Sequence, residues 1–292
     1  MRILLATAAS LAILLTGVPD PSVAAGRDPV LVGAGDIASC SRSGDTATAR
    51  LVAAIPGTVF TAGDNAYEGG TLSEFQSCYE PTWGAFKERT RPSPGNHDYG
   101  TAGASGYFTY FGSRAGSAEE GWYAYDLGAW RIYALNSNCS AVGGCGATSR
   151  QTSWLKADLA ANPRRCVLAY WHHPLFSSGE HGNHARVRPL WDVLYAARAD
   201  VVINGHDHDY ERFARLTPGG TASTSGIREF VVGTGGARRR PFGTIKPHSL
   251  VRNNSTYGVL KLTLHTASYD WQFVPQAGKA FTDTRTGAAC RA

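Results

Sequence analysis

TVFTAGDNAY, residues 58–67, joins a short apolar run to a Gly and then to an Asp and an Asn. A buried β-strand that ends abruptly in a polar turn gives this pattern. The same unit recurs four more times along the chain, at residues 30–36, 91–98, 167–173 and 201–208. Helical segments separate the runs, and we predict them at 46–55, 71–86, 149–161 and 185–199, with Asp45 as the N-cap of the first and Pro56 as its stop. Strands that alternate with helices indicate a layered α/β fold.

Two regions follow a different pattern. Residues 121–136 and 227–274 alternate aromatic and β-branched residues, which favours antiparallel strands. No segment between the elements is long enough to be a convincing linker, so we expect one domain over residues 26–292. The net charge of +5 in 292 residues mildly favours anionic ligands. The modest charge and the absence of a recognition motif give no reason to expect a nucleic-acid partner.

Residues 1–25 have the composition of a secretory signal peptide: a basic start, an apolar stretch and small residues before a cleavage point near Ala25. A membrane anchor is the alternative, but Gly17, Pro19 and Asp20 interrupt the apolar run before it reaches the ~20 residues that a span needs. No later stretch is apolar over 18 residues, so we expect no membrane span in the mature chain. These features predict a secreted or otherwise extracytoplasmic protein.

Six cysteines remain after cleavage, and in an exported chain an even number favours disulfides. Six cysteines allow 15 pairings, which sequence alone does not separate. Cys139 with Cys145 is the easiest local bridge, and we expect Cys40 with Cys78 and Cys166 with Cys290. Because no CxxC pair is present, a metal site would have to use His, Asp and Asn side chains.

Polar side chains follow all five predicted strands, where the ligands of open α/β sheets bind. These residues are Asp36; Asp64, Asn65 and Tyr67; Asn96, His97 and Asp98; His172 and His173; His206 and His208. Such a mixed nitrogen and oxygen set suits zinc, iron and manganese better than calcium. Asp64 is the best candidate to bridge two ions, which would lower the pKa of a shared water towards ~7.

The five blocks Gly35-Asp36, Gly63-Asp64-Asn65-Ala66-Tyr67, Gly95-Asn96-His97-Asp98, Trp171-His172-His173-Pro174 and Gly205-His206-Asp207-His208, in this order, resemble the calcineurin-like metallophosphoesterases. The Tyr67 position resembles their purple acid phosphatase branch. This resemblance implies an α/β fold, a four-layer α/β/β/α sandwich with mixed central sheets, and a dinuclear metal centre at the strand ends. Because residues 26–30 leave no room for an extra N-terminal β-domain, the chain resembles a minimal catalytic domain.

Carried over by position, the resemblance implies that Asp36, Asp64, Tyr67 and His208 hold the first metal, and that Asp64, Asn96, His172 and His206 hold the second. His97 would face the phosphate without binding metal, and Asp98 would orient it. Asn96, His97 and His181 would contact the substrate, although a solvated loop is an equal explanation for His181 and His184. Adjacent strand residues point to opposite faces, so we expect His172 but not His173 to be a ligand.

Ala38 stands where many metallophosphoesterases have a His, and Tyr67 supplies the tyrosine of the purple branch instead. The resemblance therefore implies iron in the first site, with a visible charge-transfer colour, and iron, zinc or manganese in the second.

The function that follows is hydrolysis of small phosphate monoesters by in-line attack of a metal-bound hydroxide. His97 would act as a proton donor or stabilise the transition-state charge. A phosphodiesterase acting on nucleotide or phospholipid-derived diesters is the first alternative, and a non-catalytic exported metal-binding protein is the second. The oligomeric state and the disulfide pairing do not follow from the sequence.

Overall fold

The computed structural model describes residues 28–291, so the predicted signal peptide lies outside the described residues. Fifteen strands form, in chain order β1 (Val30–Ala34), β2 (Ala38–Ser39), β3 (Thr58–Ala62), β4 (Ala66–Tyr67), β5 (Thr90–Ser93), β6 (Tyr123–Leu127), β7 (Trp130–Ala134), β8 (Cys166–Tyr170), β9 (Val201–Asn204), β10 (Tyr210–Leu216), β11 (Ile227–Val232), β12 (Ser249–Asn253), β13 (Gly258–Leu264), β14 (Ser268–Pro275) and β15 (Thr284–Ala289). All five predicted runs are strands. Each ends two to five residues before the polar residue that closed the predicted run.

The helices are α1 (Gly44–Ala54), α2 (Leu72–Glu74), α3 (Ser105–Phe111), α4 (Arg150–Ala161) and α5 (Arg188–Ala196), with short 3₁₀ turns between them. The prediction of one helix over 71–86 is wrong. The segment divides into α2, a π-helical turn at Phe75–Tyr79 and a 3₁₀ helix at Trp83–Arg89, because Pro81 has no N–H with which to continue the ladder. Asp45 is not an N-cap: it lies in the first turn of α1 and accepts a hydrogen bond from the Thr82 hydroxyl, 2.9 Å away.

Two mixed sheets form the centre of the molecule. The first has the order β15-β14-β13-β1-β3-β5 and the second β12-β10-β11-β9-β8-β7-β6. Strands β1, β3 and β5 run parallel in the first sheet, as do β7, β8, β9 and β11 in the second. The outer strands of both sheets pair in antiparallel fashion, as predicted for the regions with alternating residues.

The side chains of β8 show how the layers stack. Leu168 and Tyr170 join a core that also contains Leu31 and Phe60 of the first sheet, while Val167 and Ala169 pack with Trp191 of α5. Successive residues of a strand face opposite sides, so one face of the second sheet meets the first sheet and the other meets helices. Helix α1 packs on the first sheet through the buried side chains of Ala49 and Val52, which completes the predicted α/β/β/α order.

Three disulfides tie the loops and the C-terminal segment to these layers: Cys40–Cys78, Cys139–Cys145 and Cys166–Cys290, with Cα–Cα distances of 5.1, 5.1 and 5.6 Å. All three match the expected pairs. Within residues 28–291 no helix is both long and apolar enough to cross a bilayer.

Candidate metal centre

The candidate site lies where the carboxyl ends of the parallel strands of both sheets meet. Three of its residues have left-handed backbone conformations that side chains other than glycine seldom adopt: Asp36 (φ 60°), Asp64 (φ 51°) and His206 (φ 73°). Such strain persists where the surrounding structure imposes it, and it clusters at functional sites. Each of the three turns follows a strand directly, so the sheets fix where these side chains start.

The first group of donor atoms surrounds the Tyr67 hydroxyl. This hydroxyl lies 2.8 Å from Asp36 Oδ1, 3.0 Å from Asp64 Oδ2 and 3.2 Å from His208 Nε2. His208 Nε2 is also 3.2 Å from Asp36 Oδ1. The other nitrogen of the His208 ring bonds to the Arg238 carbonyl, so Nε2 faces the group. The four residues predicted for the first metal therefore converge on one point.

The second group surrounds His172 Nε2. This atom lies 3.2 Å from Asp64 Oδ2, 3.0 Å from Asn96 Oδ1 and 3.1 Å from His206 Nδ1. His172 donates its Nδ1–H to the Ala62 carbonyl, 2.9 Å away, which leaves Nε2 turned to the site. All four residues predicted for the second metal meet here. Oδ2 of Asp64 belongs to both groups.

Backbone amides hold the two carboxylates in these orientations. His206 N–H donates to Asp36 Oδ2 and His97 N–H donates to Asp64 Oδ1, both at 2.8 Å. Each carboxylate thus keeps one oxygen for the site, as in metal centres where outer hydrogen bonds orient the ligands. A side chain at Gly95 would lie 2.1 Å from Asp64 Oδ1, so only glycine permits this close packing.

The donor set fits metal ions. Ligands that bind one ion at 2.0–2.2 Å, about 90° apart, are separated by about 3.0 Å, which is close to the distances of 2.8–3.2 Å within both groups. Carboxylate, phenol, imidazole and amide donors together suit iron, zinc or manganese. Two sets of metal-compatible residues share His172: Asp36, Asp64 and His172, and His172, His173 and His206.

The close approach of these donors shifts their pKa values. Burial would raise the pKa of Asp64, but His172 and His97 more than offset this and lower it below its usual range. Burial would lower the pKa of His172, yet Asp64 and Asp36 raise it to about 9. Burial, with Asp36 and Asp64, raises the pKa of Tyr67 well above its ordinary value. A bound cation would favour the deprotonated forms of Tyr67 and His172, since metal ligands bind in their deprotonated forms.

His97 lies beside the first group without joining it. Its Nε2 is 4.0 Å from Asp64 Oδ2, and its ring centroid is 4.4 Å from that of Tyr67. The ring donates Nδ1–H to the Glu68 carbonyl, 2.6 Å away, so Nε2 is left to face a ligand. The side chain is 32% exposed, which leaves a path to solvent.

The prediction that Asp98 orients the His97 ring is wrong. The Asp98 carboxylate instead accepts hydrogen bonds from the Asn65 amide groups and from Gly95 N–H. Burial, followed by the charge of Asp64, raises the pKa of Asp98 to about 7. Asp98 therefore braces the two turns that carry Asp64 and Asn96, and the carbonyl of Glu68 holds His97.

His173 lies closer to the centre than strand alternation suggested. Strand β8 ends at Tyr170, so alternation no longer applies at residues 172 and 173. The His173 ring is 4.5 Å from that of His206, and its Nδ1 is 2.8 Å from the Ser137 hydroxyl. No sequence pattern links Ser137 to the site, because it comes from a loop remote in sequence.

His181 and His184 also approach the centre, with ring centroids 4.4 and 4.7 Å from that of His206. The loop that carries them is held by buried carboxylates that the sequence analysis did not assign. Asp207 accepts from His181 N–H at 2.8 Å, Glu211 from Ser178 N–H at 2.7 Å and Glu229 from Leu175 N–H at 3.0 Å. The alternation of acidic residues after His206 was the available signal. These contacts fix the position of the loop.

Comparisons with known proteins agree with this geometry. Residues 27–210 match the family described as Calcineurin-like phosphoesterase. Purple acid phosphatase 15 of Arabidopsis thaliana is 28% identical over 260 residues, which cover 76% of this chain and 47% of that protein. The uncharacterized protein Rv2577 of Mycobacterium tuberculosis is 31% identical over 144 residues, which cover 41% of this chain and 27% of that protein.

Among solved structures, purple acid phosphatase PPD1 from yellow lupin (Lupinus luteus) has a TM-score of 0.70 at 18% identity, over 88% of this chain and 53% of that one. GAP50, described as the anchor in the inner membrane complex of Plasmodium, also has a TM-score of 0.70, at 14% identity, over 91% and 90% of the two chains. The chain spans about half the length or less of the curated relatives named above. The match to most of the chain, with the five motif blocks inside it, shows that this protein belongs to the calcineurin-like phosphoesterase family.

Proposed function

We propose that this protein is an exported, metal-dependent phosphatase that hydrolyses small phosphate monoesters at a dinuclear centre. Its catalytic domain would occupy residues 26–292, after a signal peptide at 1–25. One observation carries the proposal: Asp64 Oδ2 lies within 3.2 Å of both the Tyr67 hydroxyl and His172 Nε2. A carboxylate oxygen shared by two donor groups is the arrangement that holds two ions ~3.5–4 Å apart.

In this proposal Asp36, Asp64, Tyr67 and His208 hold iron, and Asp64, Asn96, His172 and His206 hold iron, zinc or manganese. Bound there, the two ions would neutralise phosphate charge and activate a water for attack on phosphorus. Tyr67 favours iron at the first position, since a phenolate is a good ligand for the ferric ion. The relatives named as purple acid phosphatases support the choice of a monoester.

His97 would donate a proton from Nε2 to the leaving oxygen, since the Glu68 carbonyl engages the other ring nitrogen. Asn96 is exposed and lies at the edge of the donor groups, so its amide N–H can reach a bound phosphate. His181, whose N–H donates to Asp207 and whose ring lies 4.4 Å from that of His206, would contact the same phosphate. In this proposal His97 and His181 contact the ester without binding metal, whereas Asn96 both binds the second metal through its oxygen and contacts the phosphate through its N–H.

Two features support export. The three disulfides are stable in oxidising compartments and rare in the cytosol. The N-terminal segment has the composition of a signal peptide.

The test is hydrolysis of 4-nitrophenyl phosphate against bis(4-nitrophenyl) phosphate by protein loaded with iron or zinc. We expect faster turnover of the monoester, and loss of turnover in Asp64→Asn together with loss of bound metal. Asp126→Asn is the matched control, because Asp126 pairs with Arg131 and Arg164 on the surface. Faster turnover of the diester would replace the proposal by a phosphodiesterase.

No turnover of either ester by protein that binds two ions would favour a non-catalytic role. The fold alone does not exclude this outcome, because one fold can carry several functions and a structural neighbour is described as an anchor. The intact donor set is the reason to expect catalysis.

A further inference from the structure

A groove of about 470 Å³ opens beside the second donor group. Its lining includes Asn96 of the second donor group, His173 and the exposed Arg186. One wall consists of residues 137–140 and the other of residues 183–187. A second groove, of about 490 Å³ between α4 and α5, contains none of the site residues. The first groove is therefore the one that a leaving group attached to a bound phosphate would enter.

Both walls of the groove are fixed by contacts of their own. The Cys139–Cys145 disulfide closes the first wall, and Asn138 Nδ2 donates to the Pro94 carbonyl, 3.2 Å away. In the second wall Asn183 Oδ1 accepts from Ser177 N–H at 3.0 Å, and His184 N–H donates to the Pro174 carbonyl at 3.0 Å. A groove that is already formed binds without the entropic cost of ordering its walls.

The lining of the groove is polar and carries positive charge. It includes Arg186 and two histidines, together with serine and asparagine side chains, and no Asp or Glu. Arg186 is exposed and, within residues 28–291, its side chain has no hydrogen bond or ion pair. By contrast, Arg240 pairs with Glu180 at 3.0 Å. An arginine without an acidic partner, in a groove without carboxylates, is suited to an anion from outside, because its planar fork can bind carboxylate or phosphate with two hydrogen bonds.

We propose that the groove binds a hydrophilic leaving group that carries a second anionic group, a carboxylate or a phosphate, and that Arg186 binds this second anion. The preferred substrates are then polyol- or sugar-sized esters with two charged ends. This inference rests on the proposed function, since it takes the first phosphate to lie at the metal centre. It adds the chemical class of the substrate, which the donor groups alone leave open.

Two matched substrate pairs test the proposal. 6-Phosphogluconate and glucitol 6-phosphate differ by a carboxylate at the far end of the same six-carbon chain. Mannitol 1,6-bisphosphate and mannitol 1-phosphate differ by a phosphate, with a statistical factor of two for the equivalent esters. We expect kcat/KM to favour the doubly charged member about tenfold, which corresponds to about 1.4 kcal/mol. A preference in only one pair would identify which anion the groove accepts.

Arg186→Gln should reduce this ratio to about one, once the statistical factor of two has been divided out for the mannitol pair. Arg188→Gln is the matched control: Arg188 is exposed, two residues away and outside the groove, and this variant should keep the wild-type ratio. Both changes lie on the surface, and equal melting temperatures would show that the variants are folded. A ratio near one in the wild-type protein, or a ratio that Arg186→Gln leaves unchanged, would overturn the proposal while the phosphatase activity stands.

A second readout does not depend on turnover. In His97→Ala, whose reduced rate allows equilibrium binding to be measured by calorimetry, 6-phosphogluconate should bind about tenfold more tightly than glucitol 6-phosphate. Adding Arg186→Gln should remove the difference. If the wild-type protein hydrolyses none of the four esters but this difference is found, the groove is supported and the phosphatase proposal fails. Equal dissociation constants would refute the role of Arg186 independently of catalysis.

Discussion

Replacing His97 by Ala tests the central chemical step of the proposed function. The Glu68 carbonyl binds Nδ1–H of the ring, and Nε2 lies 4.0 Å from the Asp64 oxygen shared by both donor groups. The His97 ring donates no hydrogen bond to a predicted metal ligand. Its loss should therefore leave both ions bound while removing the proton donor for the leaving group.

The size of the effect follows from this position. General acid catalysis by one side chain contributes about 10² to 10⁴ in rate, which is roughly 3–5 kcal/mol of barrier. The leaving oxygen of an alkyl phosphate needs a proton far more than a nitrophenolate does. We therefore expect kcat on glycerol 2-phosphate to fall by about 10² to 10⁴, and kcat on 4-nitrophenyl phosphate to fall at least tenfold less.

The assay measures kcat for both esters and metal content by mass spectrometry for the wild-type protein, His97→Ala and a control, His265→Ala. His265 pairs with Asp28 and Asp270 at the end of β1 that lies away from the metal centre, so its loss should leave both rates unchanged. An equal loss on the two esters would show that His97 stabilises phosphate charge and does not protonate the leaving group. Loss of metal in His97→Ala would make His97 a ligand and refute the argument.

Three further predictions concern Tyr67, one disulfide and the buried Asp200. Tyr67→Phe should abolish the visible absorption of the iron-loaded protein and lower its iron content, and an unchanged spectrum would exclude Tyr67 as a ligand. Replacing Cys166 and Cys290 by Ala should lower the free energy of unfolding by about 5 kcal/mol, because the disulfide closes a loop spanning 124 positions. A loss below about 1 kcal/mol in urea unfolding would contradict this. Burial raises the pKa of Asp200 to about 6, above the ~3.9 of an aspartate in an unfolded chain. The folded state therefore binds this proton more tightly, and the free energy of unfolding falls as the pH rises from about 4 to 6. Asp200→Asn should remove this decrease, of up to roughly 3 kcal/mol, and an unchanged pH profile of the melting temperature would show that another group is responsible.

The strand ends and the donor residues could be predicted because each rests on a local pattern. An apolar run that stops at Gly and Asp marks both the end of a buried strand and the first polar residue beyond it. Five such blocks in order give the seven predicted ligands, and parallel strands bring them to one edge. The disulfide pairs were also anticipated, and the structure brings each pair within 5.6 Å between Cα atoms.

Other elements lacked such a local signal. Strand β15 is mostly exposed, so its sequence has no apolar alternation, and only pairing with β14 defines it. Helix α3 has Tyr and Phe at most positions, residues that favour strands, and its burial among other aromatic rings overrides that preference. Segment 71–86 does not form one helix, because Pro81 has no N–H to donate to the preceding turn.

The sequence by itself indicated the fold class and the polar residues that meet at the strand ends, because these depend on residue type and spacing along the chain. It left 15 cysteine pairings open, and the structure brings the three expected pairs together. Only the tertiary structure decided that Glu68 and not Asp98 holds His97, that His173 lies next to His206, and that residues 137–140 and 183–187 form one groove. Each of these depends on a backbone carbonyl or on segments far apart in the chain. The positions of these groups follow from how the two sheets pack, and no local pattern of residues encodes the contacts between distant segments.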